Sequence, residues 1–425
     1  MDQNWAIETK AIQCGWEPKN GEPRVLPICQ STTYKYDNAE QVAKWFNLEA
    51  DGHIYSRLSN PTVDAFERKM AALEGGVGAL ATSSGQAASM IAVANVCTCG
   101  QHFIAASALY GGTVALFTNT FKRMGVEVTL VDPEAPLAEL RKEVRPNTRA
   151  IFGETLSNPG MAVLDFEKFA KLAKEIGVPF IVDNTFATPY LCRPFEYGAN
   201  IVTHSSTKYI DGHATSVGGV IVDSGNFNWH NGKFPELTEP DKSYHGLIFT
   251  KQFGKAAYIA KARAQWVRDA GCCMSPMNAF LSNMGLETLH VRMDRHCSNA
   301  LAMAEFLEKH PKVAWVKYPG LPSDTGHERA MKYLPKGCSG VMTFGVKGGR
   351  KAGEIVMNSL KLAAIVVHVA DVRTCVLHPS SMTHRQLSDE EQLAAGVTPD
   401  LIRLSVGIEN IDDIKADFDQ ALKKC

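Results

Sequence analysis

Phe180-Ile-Val-Asp183-Asn-Thr185 and, shortly after, Ile201-Val-Thr-His204-Ser-Ser-Thr-Lys208 are the stretches on which the fold turns. Each opens as a short apolar, β-branched run suited to a buried strand and breaks into small polar residues at its carboxyl end. Working outward, further strands are expected at Val77–Thr82, His102–Ser107, Val126–Val131, Arg149–Glu154 and Val217–Val222. Helical periodicity falls between them. Asn60 is a good cap and Pro61 a good first residue for a helix carrying Val63, Phe66, Met70 and Leu73, which Gly75-Gly76 stops. Further helices are expected over Ala87–Val96, from Tyr110 to about Met124, over Pro136–Val144, and from the Asp165 cap to Ile176. This alternation is the signature of an α/β fold with a mostly parallel, doubly covered sheet, whose ligands sit at the carboxyl ends of the strands.

An acid ending one such strand and a lysine following its neighbour form the pair that a pyridoxal phosphate site needs. The lysine amine takes up the aldehyde, and the carboxylate keeps the pyridine nitrogen protonated so that the ring accepts electrons. Asp183 and Lys208 are the candidates. Ser84-Gly85-Gln86, between a small-residue strand and an apolar helix, has the geometry that presents free backbone N–H groups to a phosphate.

Composition narrows the classes. Lys+Arg (44) and Asp+Glu (45) nearly cancel over 425 residues, which argues against nucleic acid or an anionic membrane as the main partner. The 11 cysteines are scattered, with no C-x-x-C, so reduced thiols are expected and no metal site. No leader-like or membrane-length apolar run is present, and the cytoplasm is the expected compartment. Three parts are expected. Residues 1–60, broken by Pro18, Pro23 and Pro27, read as an irregular arm packing on a neighbouring subunit; 61–270 form the cofactor-binding α/β domain; 271–425 form a smaller α+β domain. The last is expected to hold a long helical stretch, Met277–Lys309, with strands at Val313–Lys317, Gly340–Val346, Ile365–Val369 and Leu401–Ser405. The polar, aromatic loop from Asn226 to His245 is long enough to be functional or interfacial.

Three stretches taken together, Tyr55-Ser-Arg57-Leu-Ser-Asn-Pro-Thr62, Ser84-Gly85-Gln86 and Asp183-Asn-Thr185 … His204-Ser-Ser-Thr-Lys208-Tyr, resemble the Cys/Met-metabolism family of pyridoxal-phosphate enzymes. The resemblance covers essentially the whole chain. It implies fold type I, the aspartate aminotransferase-like architecture. Within that family the loop Gly232–Gly246, the stretch Val369-Ala-Asp-Val-Arg-Thr-Cys-Val-Leu-His-Pro-Ser-Ser-Met-Thr-His384 and Leu401-Ile-Arg403-Leu-Ser-Val-Gly-Ile-Glu-Asn410 look like the O-acetylhomoserine sulfhydrylase branch.

The resemblance implies roles residue by residue. Lys208 binds the cofactor and then serves as the base at Cα. Asp183 meets the pyridine nitrogen, and Thr185 either supports the phenolic-oxygen side of the ring or is structural. Gly85, Gln86, Ser205 and Thr207 hold the phosphate, with Tyr55 and Arg57 reaching it from a neighbouring subunit. Tyr110 stacks on the ring and assists proton transfer. Arg403 grips the substrate carboxylate, beside Asn158, Val369 and Tyr55. Asn158 could equally bond the cofactor's phenolic oxygen. Gly112 stands where methionine γ-lyases tend to have a cysteine, which weakens a lyase reading. Most relatives carry a different small polar residue in place of His368, whose role is open. An amino-acid substrate, a sulfur donor and a homotetramer built from two active dimers follow from the same resemblance.

Two alternatives are weighed. One is a methionine γ-lyase or a cystathionine γ-synthase or lyase. The other, remote, is an S-x-x-K serine hydrolase with Ser205 as nucleophile and Lys208 as base, although Ser-Asp-Asn and Lys-Thr-Gly partners are absent.

Overall fold

A computed structural model describes residues 4–382, 385, 390 and 396–425. His384, which closes one of the quoted stretches, lies outside the described residues. Seven strands form the larger sheet: β1 (Gly78–Thr82), β2 (His102–Ala106), β3 (Glu127–Val131), β4 (Thr148–Glu154), β5 (Phe180–Asp183), β6 (Ile201–His204) and β7 (Gly219–Asp223). Their spatial order is β1-β7-β6-β5-β4-β2-β3. All pairings from β3 through β6 are parallel, whereas β7 runs antiparallel to both β6 and β1. The sheet is therefore mostly parallel, and β1, β4, β5 and β6 end on one edge. Register fixes that edge closely: Glu154 pairs with Asp183, Asp183 with Thr203, and His204 with Val220.

The strands read as apolar runs because both faces are buried; Ile181, Val182, Ile201 and Val202 are fully enclosed. The Gly85–Ala94 helix packs across β5, β6 and β7, the Pro61–Glu74 helix against β1 and β7, and the Phe166–Ile176 helix against β4 and β5. Helix boundaries follow the expected caps. Asn60 accepts the Thr62 N–H at 3.0 Å and Gly75 closes that helix at φ 81°; Asp165 caps the 166–176 helix, which Gly177 ends at φ 64°.

A second sheet has the order β10-β11-β12-β9-β8, from β8 (Val313–Lys317), β9 (Val341–Val346), β10 (Ala364–Ile365), β11 (Cys375–Leu377) and β12 (Leu401–Ser405). Two expectations need correction here. The strand expected at Ile365–Val369 shrinks to two residues because the chain leaves the sheet and turns toward Lys208 and Arg403. The single long helix expected over Met277–Lys309 is two, Pro276–Glu287 and Leu289–Lys309, divided at Thr288. Strand β11 was not anticipated; it is too short for alternation to show.

The arm is also more regular than its prolines suggest, with helices at Ile7–Gln13 and Ala39–Phe46. The loop 226–245 is anchored by packing. Phe234 and Leu237 are buried, and Trp229 stacks on Tyr258 at 5.5 Å. No helix among the described residues is long and apolar enough to cross a membrane.

Asn60 ties the arm to this framework. Besides capping its helix, its amide donates to Cys29 O (2.8 Å), Tyr34 Oη (3.1 Å) and Ser56 Oγ (3.0 Å). Losing the cap costs about 1 kcal/mol and stranding its half-buried partners about 1–3 kcal/mol more. Asn60→Ala is therefore expected to lower unfolding stability by about 2–4 kcal/mol in a denaturant titration and to expose residues 28–59 to limited proteolysis.

Candidate active site

The carboxyl edge of the large sheet gathers the site. Ser84 caps the Gly85–Ala94 helix by accepting the Ala87 N–H at 3.1 Å, and its carbonyl takes the Ala88 N–H. The Gly85 and Gln86 N–H groups are left without an acceptor among the described residues, at the positive end of the helix. Gly85 is required by space. A Cβ there would lie 2.5 Å from Ser205 Cβ and 2.8 Å from Ser205 Cα, so the turn after β1 and the turn after β6 close on each other. The Gln86 side chain points elsewhere, accepting from Thr113 Oγ1 at 3.3 Å.

Asp183 closes β5. Its Oδ1 accepts both the N–H (3.0 Å) and the hydroxyl (2.5 Å) of Thr185, and Thr185 Oγ1 in turn accepts the Ser205 N–H at 2.9 Å. Thr185 thus orients the acid and joins β5 to the β6 turn, which favours its structural reading. Burial pushes the Asp183 carboxyl up, against the Thr185 hydrogen bonds and the nearby His204, which pull it down. Beside it, Glu154 ends β4 and accepts the Tyr110 N–H at 2.8 Å. Burial, and then the neighbouring Asp183, push Glu154 well above the usual carboxylate range. Sequence reasoning passed over Glu154, although it is a strand-end acid on the same edge as Asp183.

Lys208 is largely enclosed. Burial, then the Arg403 charge, bring its ammonium down from 10.5 to about 8, while Cys375 and Asp371 pull the other way. Its Nζ lies 3.4 Å from His368 Nδ1. Arg403, on β12 of the small sheet, donates from Nη1 to Asn158 Oδ1 (3.2 Å) and from Nη2 to the Val367 carbonyl (3.1 Å). Its Nε is buried with no hydrogen-bond partner among the described residues. Val369 is buried next to this cluster. Tyr110, 48 % exposed, lies over Gly112; a Cβ at 112 would come within 2.5 Å of Tyr110 Cε1.

Three expected ligands have other partners within this chain. The Thr207 hydroxyl is engaged with Gly218, donating to its carbonyl (3.2 Å) and accepting its N–H (3.0 Å), so it braces the loop before β7 rather than offering a free donor. Tyr55 and Arg57 stack on each other at 5.5 Å, and Arg57 bonds the Arg268 carbonyl. Neither is bonded to Lys208, Gly85 or Ser205 within the chain. The serine-hydrolase alternative finds no support. Lys208 Nζ is directed at His368, and Ser205 lies against Gly85.

The residues fit pyridoxal phosphate. Two free N–H groups at a helix start match a phosphate. The carboxyls of Asp183 and Glu154, pushed up by burial with no Lys or Arg bonded to either, call for a cationic partner such as a pyridinium. An amine that sheds its proton near pH 8 can take up an aldehyde.

Comparison with known proteins agrees. A family model described as "Cys/Met metabolism PLP-dependent enzyme" matches residues 8–423. The chain is 47 % identical to the O-acetyl-L-homoserine sulfhydrylase of Leptospira meyeri, over 100 % of this chain and 98 % of that one. It is 48 % identical to the homocysteine synthase of Schizosaccharomyces pombe, over 98 % of each. A crystal structure of a putative O-acetylhomoserine (thiol)-lyase from Campylobacter jejuni, with N'-pyridoxyl-lysine-5'-monophosphate, superposes with TM-score 0.95 at 37 % identity, covering 99 % of this chain and 100 % of that one.

Because a methyl group at position 85 would press on the Ser205 backbone, Gly85→Ala must open the phosphate turn. Overpacking of this kind costs about 1–3 kcal/mol. Fluorescence titration of the variant is expected to show affinity for pyridoxal phosphate reduced by about tenfold or more, with far-UV circular dichroism unchanged.

Proposed function

The chain belongs to the Cys/Met-metabolism family of pyridoxal-phosphate-dependent enzymes, and from that premise we propose that it is an O-acetylhomoserine sulfhydrylase. It replaces the γ-acetoxy group of O-acetyl-L-homoserine with sulfide, or methanethiol, to give L-homocysteine, or methionine, and acetate. The observation that carries this reading is that Arg403, close enough for its charge to lower Lys208, has a buried Nε with no partner among the described residues. That arrangement suits an α-amino acid, its carboxylate on the guanidinium and its Cα near the base. The relatives named for this reaction supply the choice within the family.

Pyridoxal phosphate, when bound, supplies the electron sink that allows carbon acids to lose protons. Gly85 and Gln86 would hold its phosphate by backbone N–H groups, with Ser205 closing the turn, and Asp183, braced by Thr185, would keep its ring nitrogen protonated. Arg403 fixes the substrate carboxylate, with Asn158 and the backbone at Val369 alongside. Lys208 takes the proton from Cα and, after a second proton leaves Cβ, the C–O bond to acetate breaks at the γ-carbon. Sulfide forms the new C–S bond there, and both protons return. Tyr110, held at its backbone by Glu154, lies at the open side, where it assists proton transfer at the leaving group. Gly112 carries no thiol, in keeping with replacement rather than elimination.

Tyr55 and Arg57 complete the phosphate site of a neighbouring copy, in an oligomer we take to be a homotetramer. All 11 cysteines are unpaired, which suits the cytoplasm.

Product analysis tests the reading. O-acetylhomoserine with sulfide should give homocysteine and acetate; no homocysteine, with methanethiol and a keto acid formed from methionine, would replace it with a γ-lyase. Arg403→Lys keeps the charge but loses the fork. It is expected to lower kcat/KM for the amino acid by about 10–100-fold while the protein stays yellow.

A further inference from the structure

His368 has no part in the steps above, yet it is the side chain nearest in bonding terms to the reacting amine. It sits on the turn between β10 and β11, with Nδ1 3.4 Å from Lys208 Nζ. Its Nε2 is buried without a hydrogen-bond partner among the described residues and lies 3.9 Å from Asp371 Oδ2. The turn is held firmly. The His368 carbonyl accepts from Cys375 Sγ at 3.4 Å, and the Ala370 N–H donates to Ser405 Oγ at 2.8 Å. Ala370 is kept at φ 67°, where a residue with a Cβ pays about 1–2 kcal/mol. The imidazole position is therefore imposed by its surroundings.

The protonation logic follows from the donor inventory. A lysine ammonium has three donors and no acceptor, so the ring nitrogen facing it must offer a lone pair. A neutral imidazole then carries its proton on Nε2, the side toward the Asp371 carboxylate. Burial, followed by the Lys208 charge, lowers His368 to about 4, which keeps the ring neutral at pH 7.

We propose, on the reading that Lys208 binds the cofactor, that His368 is a positioning residue whose Nδ1 accepts an N–H of the Lys208 ammonium whenever that amine is free. Asp371 sets the tautomer that makes this possible. When Lys208 takes a proton from Cα, the new ammonium directs one N–H at His368 and keeps two for the substrate. No proton leaves the lysine, and the step reverses without loss. The bond favours the charged form, so it opposes burial and Arg403, which both favour the free amine. The other groups facing the pair are Arg403 from β12, Cys375 from β11, Asp371 from the same turn, and Asp211 beyond β6.

The test uses the full chain stripped of cofactor, with borohydride trapping of pyridoxal phosphate followed against pH. Only the unprotonated amine attacks the aldehyde, so the midpoint of the rate profile reports Lys208. Removing an acceptor from a charged donor should shift that midpoint downward by about one pH unit in His368→Leu. His368→Asn, whose side-chain oxygen still accepts, should keep the native midpoint. An upward shift would mean a cationic ring, and an unmoved midpoint in folded His368→Leu would mean a merely structural one; either overturns the proposal. Should the leucine variant fail to fold, ¹⁵N NMR of the native chain decides: the proton belongs on Nε2, and finding it on Nδ1 refutes the assignment. Lys208→Ala separates the two claims. If it traps no cofactor while the His368 variants leave the midpoint in place, only the role of His368 falls. If it still traps cofactor covalently at the active site, the functional reading falls as well.

Discussion

The carboxyl edge of the large sheet is organised by one buried carboxylate. Glu74, at the end of the Pro61–Glu74 helix, accepts from His204 Nε2 at 2.6 Å and from Asn184 Nδ2 at 3.0 Å. Asn184 also donates to the Cys192 carbonyl (2.8 Å) and accepts from Thr155 Oγ1 (2.8 Å). All four polar side chains are buried. Breaking such a network strands groups that water cannot reach, so each member holds the others in place. Its members are the chain neighbours of the chemistry: Asn184 follows Asp183, His204 precedes Ser205, and Thr155 follows Glu154. Asp183, the turn at Ser205 and the Tyr110 loop thereby inherit their spacing from a buried cluster beside them.

The two sheets then divide the work. Strand ends of the larger one carry Asp183 and Glu154, and the turn after β6 leads to Lys208. The smaller one contributes Arg403 from the middle of β12, where its partner across the ladder is Thr343 on β9. Residues on regular strands are held more closely than residues on loops, so Arg403, the proposed carboxylate anchor, is held in a fixed position.

Much of this was legible because it is local. Asn60-Pro61, Asp165 and the glycines at 75 and 177 announce helix ends by chemistry that acts within one turn. Asp183, Lys208 and Gly85 stand out because strand ends break sharply from apolar to polar. What escaped depends on contacts across the chain. The engagement of Thr207 with Gly218, the turn of Thr185 onto Asp183, and the His368–Lys208 approach join residues whose relation no periodicity records. Glu154 was missed for another reason: as the last residue of an expected strand it carries no signal of its own, and only the register places it beside Asp183. The Ile7–Gln13 helix of the arm, and β11, are stabilised by what they pack on rather than by their own pattern.

The bond between Arg403 and Asn158 has a wider meaning for recognition. The guanidinium is already out of water, already oriented by an amide and a carbonyl, and its buried Nε has no partner among the described residues. The dehydration and ordering of that cation were met when the chain folded, so a carboxylate arriving there encounters a prepared receptor and loses little in rearranging it. On the proposed reading Asn158 would hold the place of the anion, and folding stability would be converted in advance into affinity.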